Sequence, residues 1–182
     1  VAGDVQHAEV IEALEPSLDE WRSSQPGSAY PTVDSQTGPR VSVINRKTEQ
    51  AHLCLALPGL STLHPDRYVL ALLNTVFGEG STSRLFLEVR ERRGLAYDVH
   101  SYVSHFLDAG ALTVYAGVDP KNASDTLRVV LDQLLHLRTG IPEEELNRAR
   151  ELIKGRMLLR MEDTRAVSSW IGSQEILTAT VK

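Results

Sequence analysis

The 182-residue sequence predicts an α+β fold, an antiparallel or mixed β-sheet with helices packed on one face. Two predicted strands, 96–106 and 109–118, follow one another across a tight turn at Asp108 and so predict an antiparallel hairpin, and apolar residues alternate along the second of them. The helical patterns are grouped before and after this hairpin. A doubly wound parallel sheet would require strict alternation of strands and helices, which the sequence lacks.

The N-terminal part predicts one helix followed by a linker. Asp4 can cap the helix, and Pro16 predicts a kink or an early end within it. The apolar face of this helix consists of Ile11, Leu14, Leu18 and Trp21. Residues 23–39 are rich in Ser, Gly, Pro, Thr and Gln, a composition typical of a loop or linker.

Two strands are predicted next, at 41–44 and at 51–57. In the second strand three leucines alternate with His52, Cys54 and Ala56, which places the leucines on one face of the sheet. The dipeptide Pro58-Gly59 ends this strand.

Two helices fill the interval before the hairpin. Asp66 can cap the first helix, which ends at Gly78-Glu79-Gly80. Its apolar stripe consists of Val69, Leu72, Leu73 and Val76. The second helix begins near Ser81 or Thr82, and Gly94 is well placed to end it. Its inward residues are Leu85, Phe86 and Val89.

Three further helices are predicted after the hairpin. Asp119-Pro120 starts the first, which Gly140 closes, and Pro142 with three glutamates starts the second. The inward residues are Leu127, Val130, Leu131 and Leu134 in the first, and Leu146, Ala149, Ile153 and Met157 in the second. The last helix carries Val167, Trp170 and Ile171.

Composition excludes several classes of protein. The 19 Lys and Arg residues against 24 Asp and Glu residues give a charge of −5, which argues against nucleic acid as the main partner. No apolar run approaches the ~20 residues that cross a bilayer, and the single Cys54 excludes an internal disulfide. The compartment stays unknown; we expect a soluble protein of the bacterial cytoplasm or periplasm. The missing initiator Met suggests a piece of a longer chain.

The sequence contains no metal or cofactor motif. There is no H-x-x-E-H or its inverse, and for His52, Cys54 and His64 structural or surface roles are favoured over zinc binding. The Gly78-Glu79-Gly80 loop follows a helix and lacks the lysine of a phosphate-binding loop. We therefore expect no metal and no cofactor in this domain.

One group of residues could take part in catalysis. Arg90 lies in the last turn of a predicted helix, Gly94 turns the chain, and Tyr97 begins a strand, so the two side chains can emerge at one corner of the sheet. A guanidinium and a phenol there would donate two hydrogen bonds to one oxygen, such as a substrate carbonyl. From spacing alone, a helix-dipole role for Arg90 and a packing role for Tyr97 remain open and are favoured.

Residues 73–97 carry four short motifs in a fixed order: Leu73-Asn74, Gly78-Glu79-Gly80, Ser83-Arg84-Leu85-Phe86 and Arg90-Glu91-Arg92-Arg93-Gly94-Leu95-Ala96-Tyr97. This stretch resembles the second domain of the M16 zinc metallopeptidases, the group of pitrilysin, insulin-degrading enzyme and mitochondrial processing peptidase. Agreement at 1–5, 51–59, 108–110, 144–146 and 162–163 extends the resemblance over essentially the whole chain.

The resemblance implies an α+β fold of the LuxS/MPP-like metallohydrolase type and a single second-type domain over residues 1–182. Such a domain lacks H-x-x-E-H and is inactive alone, while Zn2+ lies in a first-type M16 domain of the same chain or a partner chain. The implied roles of Arg90 and Tyr97 are to bind the carbonyl of a peptide substrate during attack by a zinc-activated water. A homo- or heterodimer that cleaves peptides or unfolded segments is implied.

Two alternatives remain open at this stage. The chain could be a scaffold or assembly subunit of the same superfamily without proteolytic activity, although a scaffold has no need of Arg90 and Tyr97. It could also bind peptides by strand addition to an exposed sheet edge, which no particular residue supports.

Overall fold

The computed structural model describes residues 1–19, 31–32 and 36–178, which form two compact units. One unit comprises residues 32–154 and the other residues 1–31 and 155–182. The elements in chain order are α1 (His7–Leu18), β1 (Ala51–Pro58), α2 (Arg67–Gly78), a π-helix (Phe86–Arg92), β2 (Ala96–His105), β3 (Gly110–Val118), a 3-10 turn (Pro120–Asn122), α3 (Ala123–Leu137), α4 (Glu143–Met161) and α5 (Thr164–Thr178).

The three strands form one antiparallel sheet in the order β1-β3-β2, which confirms the predicted fold class. The predicted hairpin is present as β2 and β3, with Val99 paired to Ala116, while Leu55 of β1 pairs with Val114 on the other side of β3. The predicted alternation in β1 is also confirmed, because its leucines are half-buried and the residues between them are exposed.

Helices α2 and α3 and the π-helix pack on one face of this sheet. Burial of apolar side chains there removes surface from water at roughly 25 cal/mol per Å² and is the main stabilising contribution. The central buried residues of this core are Phe77, Leu85, Val89, Val99, Val114, Ala116, Val118, Val129 and Val130. The opposite face of the sheet carries polar and aromatic side chains instead.

The predicted strand at 41–44 is wrong. Residues 41–48 have no regular secondary structure, and Val41, Val43 and Ile44 are each at least 75% exposed. Their β-branched side chains favour extended backbone, but a strand also needs a hydrogen-bonded neighbour, and no described strand pairs with this segment.

The predicted face of α2 needs correction. Val76 is buried as predicted, but Val69 is 64% exposed, and the fully buried Phe77 was not part of the predicted stripe.

The predicted faces of α3 and α4 also need correction. In α3 the buried residues are Thr126, Val129 and Val130, whereas Leu127 and Leu131 are more than 40% exposed. Val130 is buried and Leu134 packs against the core, as predicted. The buried stripe is therefore only partly rotated from the predicted one, because leucines and valines offer two helical faces of similar hydrophobicity. In α4 Ala149 is buried as predicted, but Met157 is exposed.

The N-terminal predictions are tested only in part. Helix α1 continues through Pro16 and ends two residues later at Leu18, and its three described apolar residues are exposed. Trp21 and most of the predicted linker 23–39 lie outside the described residues. The assignment of residues 1–182 to a single second-type domain stays a prediction. In the described parts of the chain, no helix is long and apolar enough to cross a membrane.

Candidate functional site

A buried polar network fixes the Gly78-Glu79-Gly80 loop to β2. The Ser101 hydroxyl donates to Asn74 Oδ1 at 2.7 Å, and the Thr75 hydroxyl donates to Glu79 Oε2 at 2.9 Å. Asn74, Thr75 and Ser101 are all buried, so each bond removes the cost of an unpaired polar group. The network therefore holds the end of α2 against the sheet and holds Glu79 of the loop against α2.

The segment that carries Arg90 is a π-helix, where the sequence predicted an α-helix. Val89 in this helix and Leu85 immediately before it are fully buried, as predicted, whereas Phe86, also predicted to face inward, is half-buried. Gly94 ends it with φ +58°, and its N–H donates to the carbonyl of Arg90 at 3.1 Å, the αL ending expected of this glycine. π-Helical turns are rare and are frequently found at functional sites.

A β-bulge places Tyr97 on the open face of the sheet. Ala96 and Val99 both face the core although they are three positions apart, which simple alternation forbids. The pairing register shifts between Ala96 and Asp98, so Tyr97 has no partner on β3 and the extra residue restores the core pattern. As a result Tyr97 and Asp98 are both exposed, and bulges of this kind commonly reorient a side chain near a site.

The structure brings Arg90 and Tyr97 together, as the sequence predicted. The guanidinium carbon of Arg90 lies 6.0 Å from the centroid of the Tyr97 ring and 5.0 Å from that of Phe86. Cation–π contacts at exposed sites contribute roughly 0.5–1 kcal/mol, enough to bias the guanidinium toward this corner. Tyr97 is 77% exposed, so it does not have the packing role that spacing alone favoured.

Arg90 differs from the three arginines near it. Arg84 pairs with Glu145 at 2.8 Å, while Arg92 and Arg93 both pair with Glu88. Among the described residues Arg90 has no carboxylate partner, and the Tyr97 hydroxyl has no hydrogen-bond partner. The polar ends of both side chains are therefore available to a ligand, and together they can donate to one oxygen that gains negative charge.

The three residues considered for zinc binding have separate environments. His52 Nδ1 lies 2.8 Å from the Tyr115 hydroxyl, and His64 Nδ1 accepts the Asp66 N–H at 3.1 Å. Cys54 is exposed and carries a free thiol. Within the described ranges, no group of three or more His, Cys, Asp or Glu side chains could hold a metal ion.

A row of rings on the open sheet face was not predicted from the sequence. The row crosses all three strands and consists of Tyr102 and His100 on β2, Tyr115 on β3 and His52 on β1. The i, i+2 spacing of His100 and Tyr102 could have indicated a shared face. The cross-strand part could not be read without the register that pairs His100 and Cys54 with Tyr115.

A family model and a named relative both match this chain. The model of a family described as the peptidase M16 inactive domain matches residues 1–153. A protein of Streptomyces coelicolor, named as an uncharacterized zinc protease, is 38% identical over 182 residues, which cover 96% of this chain and 40% of that protein. The chain thus spans less than half the length of this relative.

Solved structures share the fold. A protease from Helicobacter pylori superposes with a TM-score of 0.84 at 21% identity, covering 97% of this chain and 44% of that one. A peptidase M16 inactive domain from Pseudomonas fluorescens superposes with a TM-score of 0.68 at 26% identity, covering 74% of this chain and 32% of that one.

Proposed function

The chain belongs to the peptidase M16 inactive-domain family, and from this premise we propose that it forms the noncatalytic part of a substrate chamber and supplies Arg90 and Tyr97 to a zinc site on another domain. The single observation that carries the proposal is the convergence of these two donors, both without a polar partner among the described residues. The name of the Streptomyces coelicolor relative supports zinc proteolysis by the assembled protein.

In this proposal the zinc ligands belong to a first-type M16 domain, because this chain has no H-x-x-E-H. That domain lies in the same chain or in a partner chain. The proposal also includes assembly as a homo- or heterodimer in the bacterial cytoplasm or periplasm. When bound, zinc would supply an activated water and polarise the substrate carbonyl. The substrates are peptides or unfolded segments.

The role of this chain follows from the chemistry of its two donors. The Arg90 guanidinium carries a fixed positive charge, and the Tyr97 hydroxyl can donate one hydrogen bond. Both would bind the carbonyl oxygen of the substrate more strongly as negative charge develops on it. The bulge at Tyr97 and the αL ending at Gly94 hold the two side chains at one corner before substrate arrives.

Cleavage of a quenched peptide by the assembled peptidase tests the proposal. Tyr97→Phe keeps the ring against Arg90 and removes only the hydroxyl, so we expect kcat to fall by roughly 10²-fold with little change in KM. Arg90→Ala should lower kcat at least as much. Arg93→Ala and Tyr68→Phe, at two exposed residues outside the site, are the matched controls.

Two results would contradict this account. Unchanged kcat in both Tyr97→Phe and Arg90→Ala would remove the assigned roles. An assembly that binds its partner domain but cleaves nothing when zinc is supplied would favour the scaffold alternative.

A further inference from the structure

The open face of the sheet carries a continuous row of four rings, which we call the ring ladder: Tyr102, His100, Tyr115 and His52. Successive ring centroids are 6.2, 5.1 and 5.9 Å apart, within the range of interacting aromatic pairs. The row therefore crosses the sheet from the edge strand β2 to the edge strand β1.

Specific contacts hold the ladder in place. The Tyr115 hydroxyl lies 2.8 Å from His52 Nδ1, and the end of the Tyr115 ring lies over Gly117, whose missing side chain leaves room for it. His100 Nδ1 lies 3.3 Å from the carboxylate of Asp98. A row ordered in this way loses little side-chain entropy when a ligand contacts it.

The ladder is nevertheless accessible. Tyr102 is 45% exposed, and the side chain of His100 is exposed to the same extent. The Tyr102 hydroxyl has no hydrogen-bond partner among the described residues. Core helices cover the opposite face of the sheet. The ladder therefore lies outside the core, and core packing does not account for its four rings.

The scarcity of charged residues on this face indicates which class of ligand it can bind. Asp98 is the only Asp, Glu, Lys or Arg in the three strands, and it is paired with His100. An aromatic face that binds nucleic acid needs a basic groove for the phosphates, which these strands do not provide. A strongly charged peptide would also find no partner here, whereas a neutral aromatic side chain can pack on the rings.

We propose that the ring ladder is a specificity subsite that binds an aromatic side chain of an extended peptide substrate. The statement that the bound aromatic side chain belongs to a substrate rests on the proposed function. The ladder continues from the proposed Arg90–Tyr97 site along β2. At ~3.3 Å per residue, His100 lies about 10 Å from Tyr97, so the aromatic side chain belongs about three residues from the scissile bond.

Binding measured without catalysis is the first test. Fluorescent peptides that differ only by Phe, Ala, Lys or Glu at one position are titrated into the assembled peptidase after EDTA treatment, with anisotropy as the readout. We expect the Phe peptide to bind roughly three- to tenfold more tightly than the Ala peptide. Tyr102→Thr, which keeps strand propensity, and His100→Gln should each reduce this ratio toward one, while Tyr68→Phe should not.

A position scan in the active assembly is the second test. Moving Phe through the five positions on each side of the scissile bond should raise kcat/KM most at about the third position, and Tyr102→Thr should abolish that maximum. Equal binding of the Phe and Ala peptides, an unchanged ratio in both variants, or tighter binding of the Lys or Glu peptide would overturn the proposal.

These outcomes separate the two proposals. If Tyr97→Phe and Arg90→Ala lower kcat but Tyr102→Thr leaves the Phe preference intact, the ladder proposal fails alone. If the preference depends on Tyr102 while cleavage is indifferent to Arg90 and Tyr97, the proposed function fails alone.

Discussion

Thr126 is fully buried in α3, and its hydroxyl has no hydrogen-bond partner in the part of the chain that the structure describes. An unpaired buried hydroxyl costs about 1–3 kcal/mol. We therefore expect Thr126→Val to raise the free energy of unfolding by about 1 kcal/mol, measured by urea denaturation with an unchanged m-value. Ser83→Ala is the matched control. It should lower the free energy of unfolding, because the Ser83 hydroxyl donates to the Gly80 carbonyl at 2.8 Å. A destabilised Thr126→Val protein would show that the hydroxyl is satisfied.

Asp108 is expected to contribute to the pH dependence of stability. The backbone N–H of Thr32 and then its hydroxyl donate to this carboxylate and lower its pKa below the ordinary 3.8. Because the pKa of Asp108 is lower in the folded state than in the unfolded state, the stabilising contribution of its ionised carboxylate is fully present above pH 3.8. It is lost as the pH falls through the lower folded-state pKa. Asp108→Asn should therefore flatten the acid limb of stability in urea melts between pH 6 and pH 2, and an identical acid limb would contradict this.

At the scale of elements, the contact between α2 and β2 depends on Gly78. A Cβ built at Gly78 would lie 2.8 Å from the backbone nitrogen of Ser101 and closer still to its hydroxyl. Gly78→Ala should therefore destabilise the protein by about 1–3 kcal/mol. Gly155 in α4 has no atom within 4 Å of such a Cβ, so Gly155→Ala should stabilise by about 0.5–1 kcal/mol. Thermal unfolding of the two variants gives the comparison, and equal shifts would contradict it.

The elements also show what the sequence could predict. Strands β1 and β3 were predictable because their apolar residues alternate with a period of two along strands of eight and nine residues. The segment 41–44 has the same local preference but lacks a pairing strand, and local preference cannot supply one. In α3 the choice between Leu127 and Val129 as the buried residue depends on which face meets the sheet, a tertiary property.

The convergence of the candidate site residues was predictable from the local sequence, whereas the detailed backbone geometry was not. Arg90, Gly94 and Tyr97 are close in sequence, so one helix end and one turn were enough to predict that the side chains converge. The π-helix and the bulge before Asp98 were not predicted, although Ala96 and Val99 already break the alternation of apolar residues. The ring ladder depends on strand register, which long-range contacts determine.

At the scale of the molecule, the two faces of the sheet carry different kinds of side chain. One face holds the core beneath α2, α3 and the π-helix, and the other presents Tyr97 and the ring ladder without contributing to that core. Substitutions on the open face should therefore change binding and catalysis with small effects on stability. For Tyr102→Thr we expect a change within about 0.5 kcal/mol in the free energy of unfolding, as for other exposed sites. A much larger loss in a urea melt would place Tyr102 in the core instead.

The central claim is that Arg90 and Tyr97 bind the oxygen on which charge develops during peptide cleavage. The most direct measurement compares the affinity of the assembled peptidase for a phosphinic peptide, which mimics the tetrahedral oxyanion, with its affinity for the corresponding uncleaved peptide. We predict that Tyr97→Phe and Arg90→Ala each weaken binding of the phosphinic peptide roughly 10- to 100-fold and leave binding of the uncleaved peptide within about twofold. Equal effects on both ligands, or no effect on either, would contradict the account.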